Sequence, residues 1–353
     1  MGLRLLALCL AFAAPVAAQP VRIATYDPGL SRKGPGLLLR DIRAADPQVL
    51  AAAQVIRAAA PDVILLTGFD WDLDGLALAE FGKILAESGH PMPYSFAARP
   101  NSGMATGLDL NGDGRTGRAD DAQGFGQFSG QNGMAILSRL PLGQTTDYSN
   151  FLWRDLPGNL MPDLSDDIAS IQRLSSTAHW DVEVQTSAGP LHLLAWSATP
   201  PVFDGPEDLN GRRNHDEAGF WLNHLPDAPY ILLGNVNLDL VDGDGRTDAL
   251  HALLQVTQDP LPQAAYLPPQ TGVNQRQKGD PRLDTAVFAD DAAGNLRVDY
   301  VLPARSLMVT DSAVFWPTPD DPMAMTVETA SNHRLVWVDI EMPQSSVHAD
   351  DTR

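Results

Sequence analysis

Cysteine is all but missing from this chain of 353 residues: the single one is Cys9, inside an N-terminal segment that reads as a removable leader. Arg4 gives that segment a positive start, Leu5 to Ala14 an apolar run, and Val16-Ala17-Ala18 the small residues before a cleavage point at Gln19. The expectation is an exported protein, periplasmic or extracellular, with residues 1–18 as a signal peptide. Leu8 before Cys9 does not fit a lipoprotein cleavage site. Cleavage would leave no cysteine, so disulfides are excluded and a buried core or bound ions must hold the fold. Long hydrophobic runs are lacking as well. None of about 18 apolar residues follows the leader, so no membrane-spanning helix is expected. Basic residues are scarce, 24 Lys and Arg against 44 Asp and Glu, for a formal charge of −20. That balance opposes non-specific binding to nucleic acid or anionic lipid, which depends on cations that neutralise phosphates. A small anionic ligand stays compatible, because a local basic pocket needs few residues; so does a protein partner of unknown identity.

What is present is an alternation of strand and helix signals. Val21 to Tyr26 reads as a buried strand, and Pro47 to Ala60 as a helix with Pro61 beyond its end. Asp62 to Thr67 is an apolar run of strand length, followed by helical periodicity from Asp74 to Glu87. Gly133 to Ser138 is a short strand. Trp180 to Thr186 and Leu191 to Ser197 flank a hairpin turn at Ser187-Ala188-Gly189-Pro190. Asn214 to Leu225 reads as an amphipathic helix with Asn214 as its N-cap, Tyr230 to Gly234 as a strand and Asp248 to Val256 as a helix. Leu296 to Leu302 and Arg334 to Glu341 close the series as strands. The pattern predicts one α/β domain over 19–343, with 344–353 as a flexible tail. Polar stretches at 98–132, 154–180 and 258–296 are long for loops of a compact domain. The seven tryptophans fall inside apolar segments, which points to core packing rather than a ligand platform.

The strings ATYD, ILLTGFDWD, LLGNVN, RVDYVLP and SNHRLVWVD end or edge these strands in order. Together with SATPPVFDGPEDLNGRRNHDE they make the chain resemble the endonuclease/exonuclease/phosphatase superfamily, in its exported bacterial branch, over nearly its whole length. The resemblance implies a four-layer α/β/β/α sandwich, two β-sheets face to face with outer helices, and a site at one end of the sheets. It also implies metal-assisted attack of water on a phosphoester, with carboxylates for Mg²⁺ and a base within reach of the water.

Of the residues that resemblance would use, Asn237, Asp299 and His333 are retained. Asp27 stands where the family has a first-strand Asn, and Gly68 where it has the metal-binding carboxylate. Ser197 replaces a central His. Asn235 takes the place of the general base, and Asn332 that of the Asp preceding the terminal His. Three carboxylates are lost and one gained, which leaves the pocket less negative by about two charges. Asp70 or Asp72 could supply a carboxylate if they reach inward. The expectation is therefore a pseudoenzyme on a phosphoesterase scaffold. The alternative is an active hydrolase, a divalent-metal phosphodiesterase or phosphatase using relocated carboxylates, which alone would need Mg²⁺. Arg212, Arg213 and His215 are candidate contacts for an anionic ligand in such a cleft, or else belong to a helix start.

A second motif is independent of that resemblance. Asp109, Asn111, Asp113 and Asp120 place oxygen ligands at positions 1, 3, 5 and 12 of a loop, with Gly114 at 6. That spacing suits Ca²⁺ as a structural ion that orders 98–132. Thr116 departs from the usual apolar residue at position 8. The stretch Asp242 to Asp248 is a weaker echo, with Leu240 at its first position, and reads as a turn before the next helix.

Overall fold

A computed structural model describes residues 20–289 and 291–342, so the leader and the tail expected from the sequence lie outside the described residues. The chain builds two large sheets. The first has seven strands in the order β3 (Tyr94–Phe96), β4 (Gly133–Ser138), β2 (Val63–Phe69), β1 (Val21–Tyr26), β14 (Val336–Glu341), β13 (Met308–Val314) and β9 (Gln263–Ala264). The second has five, β12 (Asp299–Pro303), β8 (Tyr230–Asn235), β7 (Gly189–Ser197), β6 (Ala178–Thr186) and β5 (Leu142–Asp147). A small pair, β10 (Ala286–Val287) and β11 (Asn295–Leu296), stands apart. Helices α1 (Leu37–Arg43), α2 (Pro47–Ala59), α3 (Leu76–Glu87) and α7 (Ala324–Ala330) contribute to the core on the outer face of the first sheet. The short α4 (Asp166–Ala169) lies in a loop, while α5 (Leu209–Gly219) and α6 (Asp248–Val256) pack with the second sheet. This is the α/β sandwich expected.

Side-chain alternation explains why the sheets stack. In β1, Ile23 joins the core between the sheets, whereas Ala24 and Tyr26 join the core under the helices. In β2, Val63 and Leu65 face inward while Ile64 and Leu66 face the helices. Burial on both faces is why these strands read as unbroken apolar runs. A slip of one residue would exchange the two faces. The sheets touch directly where Phe96 meets Trp180 edge-on, with ring centroids 4.9 Å apart. Trp153, Trp180, Trp196 and Trp221 are fully buried, as their apolar settings imply.

One helix differs from its sequence reading. The segment expected over 214–225 begins five residues earlier, at Leu209, and passes at Phe220 into a 3₁₀ turn. Asn214 is therefore inside the helix rather than its N-cap. Its amide donates to the carbonyls of Thr199 and Val236, both at 2.8 Å, and ties α5 to the ends of β7 and β8.

Candidate functional site

The strand ends expected to carry the site do converge. Ser197 at the end of β7 pairs with Asn235 at the end of β8, and Asn235 pairs with Asp299 at the start of β12, so the three form one row across the second sheet. His333 lies just before β14 of the first sheet. Its Nδ1 is 2.8 Å from Asp299 Oδ2, which links the two sheets at this end. Burial disfavours the imidazolium, but the field of Asp299, their hydrogen bond and the charge of Asp27 outweigh it and raise His333 to about 9. Asp299 is fully enclosed, and its Oδ1 has no hydrogen-bond partner among the described residues.

Asp27 and Gly68 form a single arrangement. Gly68 has φ +60°, and a Cβ built on it would fall 2.2 Å from Asp27 Oδ1. The Asp27 carboxylate fills the volume that a side chain at 68 would need, and the backbone N–H of Gly29 holds it there at 2.8 Å. From the sequence these are two separate substitutions; in space one excludes the reversal of the other.

The amides at the old base and terminal positions are also accounted for. Asn235 Oδ1 accepts the Asn237 N–H at 3.0 Å. Asn237, with φ +54°, donates its Nδ2 to the Ala198 carbonyl at 2.7 Å. Asn332 is exposed, and its Nδ2 is 3.4 Å from the Val287 carbonyl. An amide cannot take a proton from water near neutral pH, so neither Asn235 nor Asn332 can act as a general base.

A family model described as "Endonuclease/Exonuclease/phosphatase family" matches residues 33–333. The chain belongs to this family. Among solved structures, the endonuclease/exonuclease/phosphatase from Beutenbergia cavernae is similar at 19% identity and TM-score 0.56, covering 92% of this chain and 72% of that one. A family protein from Leptotrichia buccalis aligns at 14% identity and TM-score 0.53, over 91% of this chain and all of that one. One from Bacteroides thetaiotaomicron gives 12% and 0.51, over 92% and 98%. At these identities the structures speak for the fold. No curated protein matches the chain.

The Mg²⁺ associated with the endonuclease/exonuclease/phosphatase family does not fit the residues present. Among the described residues no three His, Cys, Asp or Glu side chains are grouped so as to hold a metal ion. Asp70 and Asp72, the carboxylates the sequence offers as replacements, are engaged elsewhere. Asp70 Oδ1 accepts from Ser31 Oγ at 2.9 Å and the Asn132 N–H at 3.0 Å, while its Oδ2 accepts the Arg32 N–H at 2.8 Å. Asp72 receives the N–H groups of Leu76 and Ala77, both at 2.8 Å, at the start of α3. Of the relocated carboxylates only Asp27 stands beside the Asp299–His333 pair.

The basic cluster resolves into structure, which corrects the reading of Arg213 as an anion contact. Arg213 is buried. Its Nε donates to the Leu174 carbonyl at 2.8 Å and its Nη2 to the carbonyls of Gln123, Arg173 and Ser175 at 2.6, 2.9 and 3.0 Å. Arg212 reaches the Glu207 and Leu160 carbonyls, and His215 Nδ1 pairs with Asp216 at 2.8 Å. Because the helix begins at Leu209 rather than after Asn214, Glu217 lies near its end and not in a first turn. That carboxylate is fully buried and receives the N–H and Oγ of Ser176 and, at 2.7 Å, the Thr199 N–H.

In the 98–132 excursion, Asp109 accepts the backbone N–H groups of Gly112, Asp113 and Gly114 at 2.8, 3.1 and 2.7 Å. Asn111 Nδ2 meets Asp120 Oδ2 at 2.5 Å. The loop thus closes on itself between its third and twelfth positions. A feature without any motif in the sequence is a cavity of about 480 Å³ beside Asn237, walled by residues from the 200–203, 239–244 and 273–277 segments and by Phe288 and residues of 292–298.

Proposed function

We propose that the protein is an exported pseudoenzyme of the endonuclease/exonuclease/phosphatase family that binds a small anionic ligand without turning it over. The observation that supports this reading is the Asp27 carboxylate in the volume a metal-binding side chain at 68 would need. With neutral amides at 235 and 332, the site keeps the Asp299–His333 pair and the Asp27 carboxylate, and has no base at the position where the resemblance expects one. Losing a positioned base alone costs about 10²–10⁴ in rate. The active-hydrolase alternative is weakened by the engagement of Asp70 and Asp72 in backbone hydrogen bonds.

The anion would meet the buried His333, whose positive charge is matched by Asp299 and faced by Asp27, and whose Nε2 makes no hydrogen bond to any described residue. Inorganic phosphate is expected to bind in the presence of EDTA, as read by titration calorimetry, and to be lost in His333→Asn. Because the folded His333 is raised to about 9, affinity should hold through neutral pH and fall as pH passes 9. Binding that vanishes on chelation, or that His333→Asn leaves intact, contradicts the assignment.

Ca²⁺ in the 109–120 loop belongs to the same reading, supported by the sequence spacing of its oxygens alone, since its carboxylates are not drawn together into a group of three among the described residues. An ion bound only by the folded state stabilises by about 2.7 kcal/mol at a hundredfold excess over Kd. Calcium is therefore expected to raise the melting midpoint by several degrees, an effect absent in Asp113→Ala. An identical midpoint in calcium and in EDTA removes the ion from the account.

A further inference from the structure

The cavity of about 480 Å³ lies next to the Asp299–His333 pair but is chemically unlike it. Phe288 lines it, and its ring stands edge-on to His333 with centroids 6.1 Å apart. Asn237, which packs on the row of strand ends, lines it as well. Most of the remaining wall is apolar: Val202, Val273, Leu296 and Val298. Its carboxylates do not make it a second anion site. Asp239 accepts the N–H groups of Val241, Asp242 and Arg297, and Asp242 those of Lys278 and Gly279. With Asp244, and against Arg276 as the cation on the wall, they leave the cavity net negative, which disfavours any further anionic group on a ligand that enters. The size lies within the range of pockets that enclose most of a small organic molecule, and apolar walls with a few polar groups are their usual composition.

We propose that this cavity is the subsite for the apolar substituent of the ligand, so that the protein takes a single phosphate bearing one aryl or short acyl group. The inference rests on the anion site at His333 proposed above. The phosphate stays at the imidazolium, the substituent passes Phe288, and the apolar walls take it out of water. A bare phosphate leaves the cavity unused, and an oligonucleotide brings charges that the Asp239–Asp242 side repels.

The test compares inorganic phosphate, 1-naphthyl phosphate and 1-naphthol by calorimetry on the full chain, in wild type and in Ala293→Trp. Ala293 is an exposed residue on the cavity wall, so a large side chain there narrows the cavity without entering the core. 1-Naphthyl phosphate is expected to bind at least about tenfold more tightly than phosphate, from apolar surface buried. In Ala293→Trp that excess should disappear while phosphate affinity stays within about twofold and the melting midpoint is unchanged. Equal affinities for the two phosphates in wild type, or an excess that survives Ala293→Trp, overturn the subsite. If phosphate fails to bind but 1-naphthol binds and Ala293→Trp abolishes it, the anion site falls and the apolar cavity stands. If neither binds, both are wrong.

Discussion

Asp27→Asn, Gly68→Glu, Asn235→Asp and Asn332→Asp made together are expected to raise Mg²⁺-dependent hydrolysis of bis(4-nitrophenyl) phosphate at least about 100-fold over the unaltered chain. The expectation follows from what each position lacks: a metal carboxylate at 68, a base at 235 and a terminal carboxylate at 332. The partner change at 27 matters because Gly68→Glu alone would set two carboxylates against each other; an Asn of the same size removes the repulsion and must still turn out of the place where a Cβ at 68 falls 2.2 Å from Asp27 Oδ1. Gly68→Glu would also force a non-glycine residue to φ +60°, a strain of about 1–3 kcal/mol. The set without Asp27→Asn should therefore remain at background and melt lower. A fourfold variant that folds, binds Mg²⁺ and still shows no added rate would mean that the pocket has lost more than these side chains.

Arg213→Ala is expected to cost about 3–5 kcal/mol of folding stability, read by chemical denaturation. The guanidinium joins carbonyls from Gln123, Arg173, Leu174 and Ser175, which come from two loop segments far apart in sequence. It also balances Glu217, whose carboxyl burial raises and Arg213 pulls back down. Truncation leaves a buried carboxylate uncompensated and several carbonyls without donors, and each deficit is costly in a low-dielectric interior. Arg213→Lys should recover only part, because a single ammonium cannot span the fork. A loss below about 1 kcal/mol, the ordinary range for surface arginines, would contradict this structural role.

The large sheets were legible because their strands are buried on both faces and carry apolar runs such as VILLTGF and YILLGN. The polar strands β5 (LGQTTD) and β13 (MVTDSAV) lie near or at the margins, and their half-exposed faces left no clear alternation to read. Helix α1 was missed because it is seven residues long with no side-chain cap. At the site, residue identities could be read along the chain but their mutual exclusion could not. That Asp27 occupies the place beside Gly68 depends on a backbone angle and on the distance between two strands. Arg213 shows the converse. Basic residues clustered at a helix start suggest a ligand contact, and only burial shows that this one is held by carbonyls. The cavity beside Asn237 is assembled from four separated segments, so no local spacing announces it.

The most direct test is hydrolysis of bis(4-nitrophenyl) phosphate by the unaltered chain across an Mg²⁺ titration, beside the paired variant Asp299→Asn with His333→Asn. The account predicts that both run at the uncatalysed rate at every Mg²⁺ concentration. Turnover that rises with Mg²⁺ in the unaltered chain and disappears in the paired variant would contradict it.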